Sequence, residues 1–307
     1  MNIIFLGTPD FAVPALKAII ASRHKVLAAV TQPDKPVGRK QEITPSPVKI
    51  AAENNGIKVL QYNKIRLEGV NDLKALNADI MVTCAYGQIL SQEIIDICPK
   101  GIINIHASLL PKYRGAAPIQ YAVLNGDKET GVTVMQTEAG IDTGDILAVS
   151  KTAIGENETA GELFDRLSEI GAELIVKTLD KIENGEIIPI KQDSSKASNV
   201  KMIKKENAEI DFTKTDKTVF DFVRGMNPWP VAYTFLNGKL LKIYKVEKSD
   251  KNGEAGTVIN SDIGGITVAC GNGSVIIKEL QLEGGKRMSA HEFLLGRKIP
   301  PLLRLGK

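Results

Sequence analysis

Apolar and polar positions alternate along the first part of the chain in blocks that predict strands separated by helices. The apolar blocks are short and rich in β-branched residues, which is typical of strands buried on both faces. They cover residues 2–6, 25–30, 58–60, 80–84, 102–106, 132–136 and 146–153. Helices are predicted between them, at residues 14–21, 47–55, 116–124 and 160–184. Strands that alternate with helices favour a mostly parallel, doubly wound α/β sheet of the Rossmann-like class.

Beyond residue 208 the pattern changes to short alternating strands joined by tight turns. Asn237-Gly238 and Asn272-Gly273 each stand between apolar runs, and this dipeptide is strongly favoured in β-hairpins. Five strands are predicted, at residues 232–236, 240–246, 256–259, 266–269 and 275–280. Five such strands favour a small OB-like β-barrel, and Ser289 and Glu292 form a capping box for a last short helix.

The two patterns are separated by a segment of low periodicity. Residues 191–208 are rich in Ser, Lys and Asn, which is typical of a connection between domains. We therefore expect an N-terminal α/β domain at 1–189, a linker at 190–207 and a C-terminal β domain at 208–307. A chain of 307 residues is long enough for two domains.

Charge is distributed unevenly between the two parts. Residues 190–307 carry 20 Lys and Arg against 13 Asp and Glu, whereas residues 1–189 carry 19 against 23. The separation indicates that the C-terminal part meets a polyanion while the N-terminal part performs chemistry. A solvated basic surface is the alternative, and charge alone leaves it open.

Cysteine spacing and hydropathy indicate the compartment in which the protein works. Cys84, Cys98 and Cys270 are odd in number and lack C-x-x-C spacing, so we interpret them as buried small apolar residues in a reducing cytoplasm. No apolar run is long enough to span a membrane, and the first residues lack the basic region of a signal peptide. The expected location is cytoplasmic.

The chemistry is concentrated in the stretch from Gly101 to Pro118. Asn104 and His106 interrupt its apolar strand two residues apart, so their side chains project from the same face. In an open α/β sheet, ligands bind beyond the carboxyl ends of strands. Asp142, in the polar loop G-I-D-T-G-D, is the candidate third member. An amide, an imidazole and a carboxylate are the groups needed to polarise a carbonyl and move a proton.

Longer motifs around these residues resemble a known family. N-I-H-A-S-L-L-P-K-Y-R-G-A-A-P-I-Q followed by G-I-D-T-G-D-I is similar to the active-site motif of the folate-dependent formyltransferases. Three further motifs, G-T-P-D-F-A from Gly7, Q-P-D-K-P-V-G-R from Gln32 and N-P-W-P from Asn227, resemble the methionyl-tRNA formyltransferase family over essentially the whole chain.

The resemblance implies a reaction and a set of residues. In that family, 10-formyltetrahydrofolate donates its formyl group to the amino group of methionyl-initiator tRNA. By this resemblance Asn104 donates to the oxyanion, His106 stabilises it and protonates the departing folate nitrogen, and Asp142 orients the imidazole and receives the amine proton. The matching folate-contacting residues are Ser108, Leu109, Leu110 and Pro111, and the loop from Tyr86 to Leu90 would flank the pterin.

Recognition of tRNA is expected in the long polar segment from Gln32 to Pro45. It holds three cations, Lys35, Arg39 and Lys40, and Arg can fork onto phosphate or base edges. The sequence departs from the family at Lys112 and Tyr113, where Arg and Trp are common, and at Gln88, where an apolar residue is usual. These departures bear on substrate contacts rather than on the reaction.

Alternatives to this interpretation differ in substrate or in class. A purine-pathway formyltransferase is disfavoured because such enzymes resemble the N-terminal domain alone. An NAD-dependent oxidoreductase is disfavoured because the sequence lacks the G-x-G-x-x-G fingerprint of dinucleotide binding. An aminosugar-nucleotide formyltransferase, a formyltetrahydrofolate hydrolase and a non-catalytic tRNA-binding protein stay open as alternatives. No His/Cys/Asp group stands at metal-ligand spacing, so no metal is expected, and we expect a monomer.

Overall fold

The computed structural model describes residues 1–38 and 41–306, with the backbone alone at Val37. Contacts group these residues into two compact units. The first unit holds Met1–Pro118, Glu129–Ala153 and Phe164–Val200, and the second holds Ile119–Lys128, Ile154–Leu163 and the residues from Lys201 onward. The domain limits at 189 and 208 stay a prediction.

Strands of the first unit form a mostly parallel sheet, as predicted. In chain order they are β1 (Asn2–Gly7), β2 (Lys25–Thr31), β3 (Lys35–Val37), β4 (Glu42–Thr44), β5 (Lys58–Gln61), β6 (Ile80–Cys84), β7 (Ile102–His106), β8 (Arg114–Gly115), β9 (Glu129–Gln136), β10 (Ile146–Ala153) and β11 (Asn199–Val200). Seven of them make one sheet in the order β10-β9-β7-β6-β1-β2-β5. β9 runs antiparallel to β7, and β10 antiparallel to β9.

Two short pairings lie outside this sheet. β3 and β4 form an antiparallel hairpin within the long polar segment, which the sequence interpretation left without structure. β8 and β11 pair in parallel, so the middle of the predicted linker is bound to the segment that follows β7. Both pairings are short, and nothing in the alternation of polar and apolar residues marks them.

Helix positions follow the sequence closely at their amino ends. They are α1 (Val13–Ala21), α2 (Pro47–Asn54), α3 (Ile65–Glu68), α4 (Val70–Ala75), α5 (Gln92–Ile95), α6 (Pro118–Leu124), α7 (Ala160–Asn184), α8 (Asp216–Gly225) and α9 (Ala290–Leu295). Ser46 caps α2 by accepting from the backbone N–H of Lys49 at 3.1 Å. The predicted capping box forms at α7, where Glu162 and Thr159 bond each other's backbone N–H. α3, α4, α5 and α8 are additions to the sequence prediction.

The core of the first unit fixes the strand ends where the candidate residues lie. Ile4, Leu6, Met81 and Ile102 are fully buried in one cluster. Each such side chain contributes roughly 1.5–3 kcal/mol through burial. α7 packs closely on the sheet, because a Cβ at Gly171 would lie 3.1 Å from Cγ2 of Ile105.

The second unit is an antiparallel sheet with the predicted five strands and one short addition. They are β12 (Tyr233–Leu236), β13 (Lys239–Ser249), β14 (Val258–Asp262), β15 (Gly265–Ala269), β16 (Ser274–Leu282) and β17 (Met288–Ser289). The order is β12-β13-β16-β15-β14, with β17 beside β16. Asn237 and Gly238 both have positive φ, as a tight hairpin turn requires. The fold class is therefore confirmed as a Rossmann-like α/β unit followed by an antiparallel β unit.

Across residues 1–38 and 41–306, no helix combines the length and apolar character needed to cross a membrane.

Candidate active site

The centre of the candidate site is the carboxyl-terminal half of β7. Asn104 is the Cα partner of Thr83 on parallel β6 and of Met135 on antiparallel β9. His106 lies two residues on and is 6% exposed. Side chains two apart on a strand share a face, so the predicted relationship between the amide and the imidazole follows from the pleat.

The amide of Asn104 is oriented by its neighbour on β6. Oγ1 of Thr83 donates to Oδ1 of Asn104 at 2.8 Å. Because the carbonyl oxygen is occupied in this way, the two N–H groups of Nδ2 point away from Thr83. Thr83 was missed in the sequence, where it looks like one more β-branched strand residue.

The imidazole of His106 is held at both nitrogens. Nε2 lies 2.9 Å from the backbone carbonyl of Tyr113, and because a carbonyl only accepts, Nε2 carries a proton. Nδ1 faces the carboxylate of Asp142, with 3.6 Å between Nδ1 and Oδ2. Nδ1 is therefore the nitrogen left for proton exchange, and a charged imidazole would be paired with a carboxylate.

Asp142 reaches this position by an unexpected route. Its preceding strand, β9, runs antiparallel to β7, so the loop 137–145 begins beside the amino end of β7, where the N–H of Thr137 donates to the carbonyl of Ile102 at 2.8 Å. The loop then returns, and Oδ2 of Asp142 accepts the N–H of Gly115 at 2.8 Å. Asp142 has a φ of 53°, in the left-handed region that Asp tolerates better than most residues.

Gln192 and Arg114 form a buried polar pair, and Gln192 bonds to the backbone of this loop. Gln192 donates from Nε2 to the carbonyls of Asp142 and Gly144 at 2.9 and 2.7 Å. Its Oε1 accepts from Nε and Nη2 of Arg114 at 3.1 and 2.8 Å. Sequence reasoning missed Gln192 because it lies within the predicted linker, where a lone amide carries no pattern.

The loop predicted to contact folate is itself well ordered by hydrogen bonds. Oγ of Ser108 donates to the carbonyl of Lys112 at 2.6 Å, and Thr133 bonds both the carbonyl of Ser108 and the N–H of Leu110. Ser108 is fully buried and Leu110 nearly so, whereas Leu109 and Pro111 keep partial exposure. Side-chain contact with a ligand is thus open mainly to Leu109 and Pro111.

The two departures from the family pattern each have local partners. Nζ of Lys112 lies 4.7 Å from the ring centroid of Tyr113, a cation–π contact. Tyr113 is buried, and its N–H donates to Oγ of Ser198 at 2.9 Å, which fixes the carbonyl that holds His106. Gln88 donates to the carbonyl of Tyr62 at 2.8 Å and accepts the N–H of Ile65 at 2.8 Å.

Of the residues predicted to contact tRNA, the structure places one. Lys35 lies exposed on β3 of the β3–β4 hairpin. Arg39 and Lys40 lie outside the described residues. Their proposed role is therefore carried by sequence alone.

One group of side chains in the described part of the chain has metal-ligand spacing that the sequence did not reveal. His24, Asp180 and Glu183 bring one ligand atom each within 4.8 Å of the others. Both carboxylates already have cationic partners, because Arg23 lies 2.6 Å from Asp180 and 2.9 Å from Glu183. Burial is the main cause that lowers the pKa of His24. The cluster is better described as an ion-pair network than as a metal site.

With this geometry established, comparison with known proteins assigns the family. The formyl transferase model matches residues 1–179, and the model of the formyl transferase C-terminal domain matches residues 202–298. The chain belongs to the formyl transferase family. It is 48% identical to the methionyl-tRNA formyltransferase of Citrifermentans bemidjiense over all of this chain and 97% of that protein. It is 49% identical to the methionyl-tRNA formyltransferase of Geobacter metallireducens over all of this chain and 99% of that protein.

A solved formyl transferase shares the fold at lower identity. The N-formyltransferase of Helicobacter canadensis, crystallised with folinic acid and dTDP-3-aminofucose, has a TM-score of 0.69 and 23% identity, covering 93% of this chain and 99% of its own. That likeness concerns the fold. The full-length similarity at about twice this identity is to formyl transferases that act on methionyl-tRNA, so the aminosugar and non-catalytic alternatives are not favoured.

Proposed function

We propose that this formyl transferase moves the formyl group of 10-formyltetrahydrofolate to the free amino group of methionyl-initiator tRNA, giving the N-formylmethionyl-tRNA that begins translation. The observation that carries the proposal is the full-length identity of 48–49% to methionyl-tRNA formyltransferases. The triad of Asn104, His106 and Asp142 in one site supports the chemistry.

The first step is attack of the methionyl amine on the formyl carbon. A C–N bond forms, and the carbonyl electron pair moves to oxygen in a tetrahedral intermediate. Asn104 donates from Nδ2 to this oxyanion, in the orientation that Thr83 imposes. One such donor is typically worth about 10²–10³ in rate.

The second step breaks the bond between the formyl carbon and the folate nitrogen. The departing nitrogen takes up a proton, and His106 supplies it from Nδ1, because Nε2 is held by the carbonyl of Tyr113. Imidazole is suited to this transfer because a ring nitrogen can donate a proton and later accept one. The charged ring also stabilises the oxyanion that precedes cleavage.

Asp142 accepts the proton that the attacking amine loses. The attacking amine acquires a positive charge and must lose one proton before the amide is complete. The carboxylate takes it directly or through water, and its Oδ2 lies 3.6 Å from Nδ1 of His106. The protonated Asp142 then returns this proton to Nδ1 of His106, 3.6 Å away, so both groups regain their starting states and no covalent intermediate forms.

Folate is the formyl donor and is bound as a co-substrate. We assign Ser108, Leu109, Leu110 and Pro111 to its contacts, with backbone groups and the partly exposed Leu109 and Pro111 facing it. A ring with several donors and acceptors is well held by loop backbone groups between apolar side chains. The chemistry requires no metal ion.

The tRNA is held by cations in both parts of the chain. Lys35, Arg39 and Lys40 would contact the acceptor end next to the methionyl group. Residues 190–307, with 20 Lys and Arg against 13 Asp and Glu, would bind phosphates further along the tRNA. We propose that the enzyme acts as a cytoplasmic monomer.

The assay that tests this function supplies two acceptors in parallel. With 10-formyltetrahydrofolate, methionyl-initiator tRNA should yield formylmethionine, while a dTDP-aminosugar should yield no formamide. The Asn104→Ala protein is the control for site-dependent turnover. Formylation of the sugar nucleotide in preference to the tRNA would overturn the proposal.

A further inference from the structure

Gln192 uses every polar atom of its side chain to hold the loop that carries Asp142. Its two N–H groups bond the carbonyls of Asp142 and Gly144, and its oxygen accepts a two-pronged contact from Arg114. Gln192 is 8% exposed and Arg114 is 7% exposed. Buried polar groups that are satisfied in this way are rigid, because any movement leaves a donor or acceptor unpaired.

Apolar packing does little to hold the loop, so its position depends on hydrogen bonds, among them the one from the N–H of Gly115 to Asp142. Ile141, its large apolar side chain, is 74% exposed and contributes little burial. The positive φ of Asp142 is a sparsely populated conformation for a residue other than glycine, and it persists when its surroundings impose it. At Gly144 the backbone passes so close to β9 that a Cβ would lie 1.9 Å from the carbonyl oxygen of Gln136.

The Arg114–Gln192 pair also connects the two partners of His106. Arg114 directly follows Tyr113, whose carbonyl holds Nε2 of His106. Gln192 holds the residue whose carboxylate faces Nδ1. This buried bridge therefore links the two groups that contact the imidazole, together with the hydrogen bond from the N–H of Gly115 to Asp142.

We propose that Gln192 is a positioning residue for formyl transfer, which places the Asp142 carboxylate against Nδ1 of His106 through its bridge to Arg114. The inference rests on the proposed catalytic role of Asp142. It extends the active site into the segment that the sequence presents as an interdomain linker.

The informative change is Gln192→Glu. The carboxylate still accepts from Arg114, so no buried guanidinium is left alone, but both donors to the loop are lost and a negative oxygen faces two carbonyls. We expect kcat to fall roughly tenfold or more, since small misplacements of a catalytic group are costly. KM for 10-formyltetrahydrofolate should stay within about twofold, because the folate loop keeps its own hydrogen bonds.

Asn199→Asp is the matched control. It makes the same change from amide to carboxylate in the same segment, at an exposed residue of β11, and should leave kcat unchanged. Thermal unfolding of both variants, followed by circular dichroism, shows whether each is folded at the assay temperature. A folded Gln192→Glu protein with the kcat of the unchanged enzyme would overturn the inference.

A double change separates positioning from general structural damage. If Gln192 acts through Asp142, adding Gln192→Glu to Asp142→Asn should lower kcat by less than twofold further, whereas independent effects would multiply. If the two losses of kcat multiply fully in the double variant, the inference is overturned while the role of Asp142 stays intact. If Asp142→Asn alone has unchanged kcat, the proposed function of Asp142 fails instead.

Discussion

The hydroxyl of Thr83 and the amide oxygen of Asn104 form a 2.8 Å hydrogen bond between register partners on β6 and β7. Thr83 is 6% exposed, so the contact is shielded from water. A buried hydrogen bond between adjacent strands is a rigid means of choosing which end of an amide faces a ligand. The residue that orients the proposed oxyanion donor is therefore a strand residue to which we assign no step of the reaction.

Replacing Thr83 with Val should lower kcat about ten- to a hundredfold with little change in KM. The shape of the side chain is kept, but the amide of Asn104 is free to turn its oxygen toward the developing oxyanion. Steady-state kinetics with methionyl-initiator tRNA measures the effect.

Thr83→Ser should keep most of the activity, because the hydroxyl is retained. Thr178→Val is the matched control: Thr178 is also buried, and its hydroxyl bonds the carbonyl of Leu174 within α7. Equal kcat values for Thr83→Val and Thr178→Val would show that the orientation of Asn104 does not depend on Thr83.

The triad should behave as one unit. Asn104→Ala, His106→Ala and Asp142→Ala are each expected to lower kcat by roughly 10²-fold or more. In the proposed mechanism Asn104 and His106 act on the same oxyanion, so the double variant should lose less than the product of the single losses. Single-turnover rates measure this directly, and near-normal turnover in any single variant removes that residue from the mechanism.

Arg39 should contribute to recognition of the tRNA and not to the formyl-transfer step. Arg39→Ala is expected to lower kcat/KM for initiator tRNA by an amount equivalent to about 1–3 kcal/mol of transition-state stabilisation, which is typical of one bidentate contact. Arg39→Lys should recover only part of this loss. Activity toward a small amine acceptor should be unchanged, since the triad is intact. If Arg39→Ala formylates initiator tRNA normally at subsaturating concentration, selection depends on other residues.

The thiols should be unreactive in the folded protein. Burial raises the pKa of Cys98 to about 11 and that of Cys270 to about 12, and it also raises the pKa of Cys84. At pH 8 a thiol with a pKa near 11 is thiolate in about one molecule in a thousand, and the thiolate is the reactive form. Titration with an aromatic disulfide should be slow for the native protein and should detect three thiols rapidly in denaturant. One fast thiol before unfolding would contradict this.

Sequence patterns predicted the strands well because burial on two faces leaves a strong apolar run, as in Ile80–Cys84 and Ile102–His106. They also placed Asn104 and His106 on one face, since a strand has period two. The course of the loop to Asp142 could not be predicted in this way. It depends on β9 running antiparallel to β7, and strand direction in a sheet leaves no mark on local hydropathy.

Residues that act through hydrogen bonds were the ones missed. Thr83 and Gln192 gain their importance from partners 21 and 50 positions away in the chain, Asn104 and Asp142. The β3–β4 hairpin was missed for a related reason, because its exposed residues give no alternating pattern. Composition alone made the stretch that contains Gln192 look like a connection.

Segments of the two units alternate along the chain, and this order has a consequence for synthesis on the ribosome. Ile119–Lys128 and Ile154–Leu163 emerge early, yet they belong to the unit that is completed by the residues after Val200. They carry Ile119, Val123 and Leu163, which are buried in the finished protein. Translation of about a hundred residues takes roughly 5–20 s at bacterial rates. For that interval the nascent chain presents apolar segments whose folding partners do not yet exist, so this enzyme is expected to be a client of ribosome-bound chaperones.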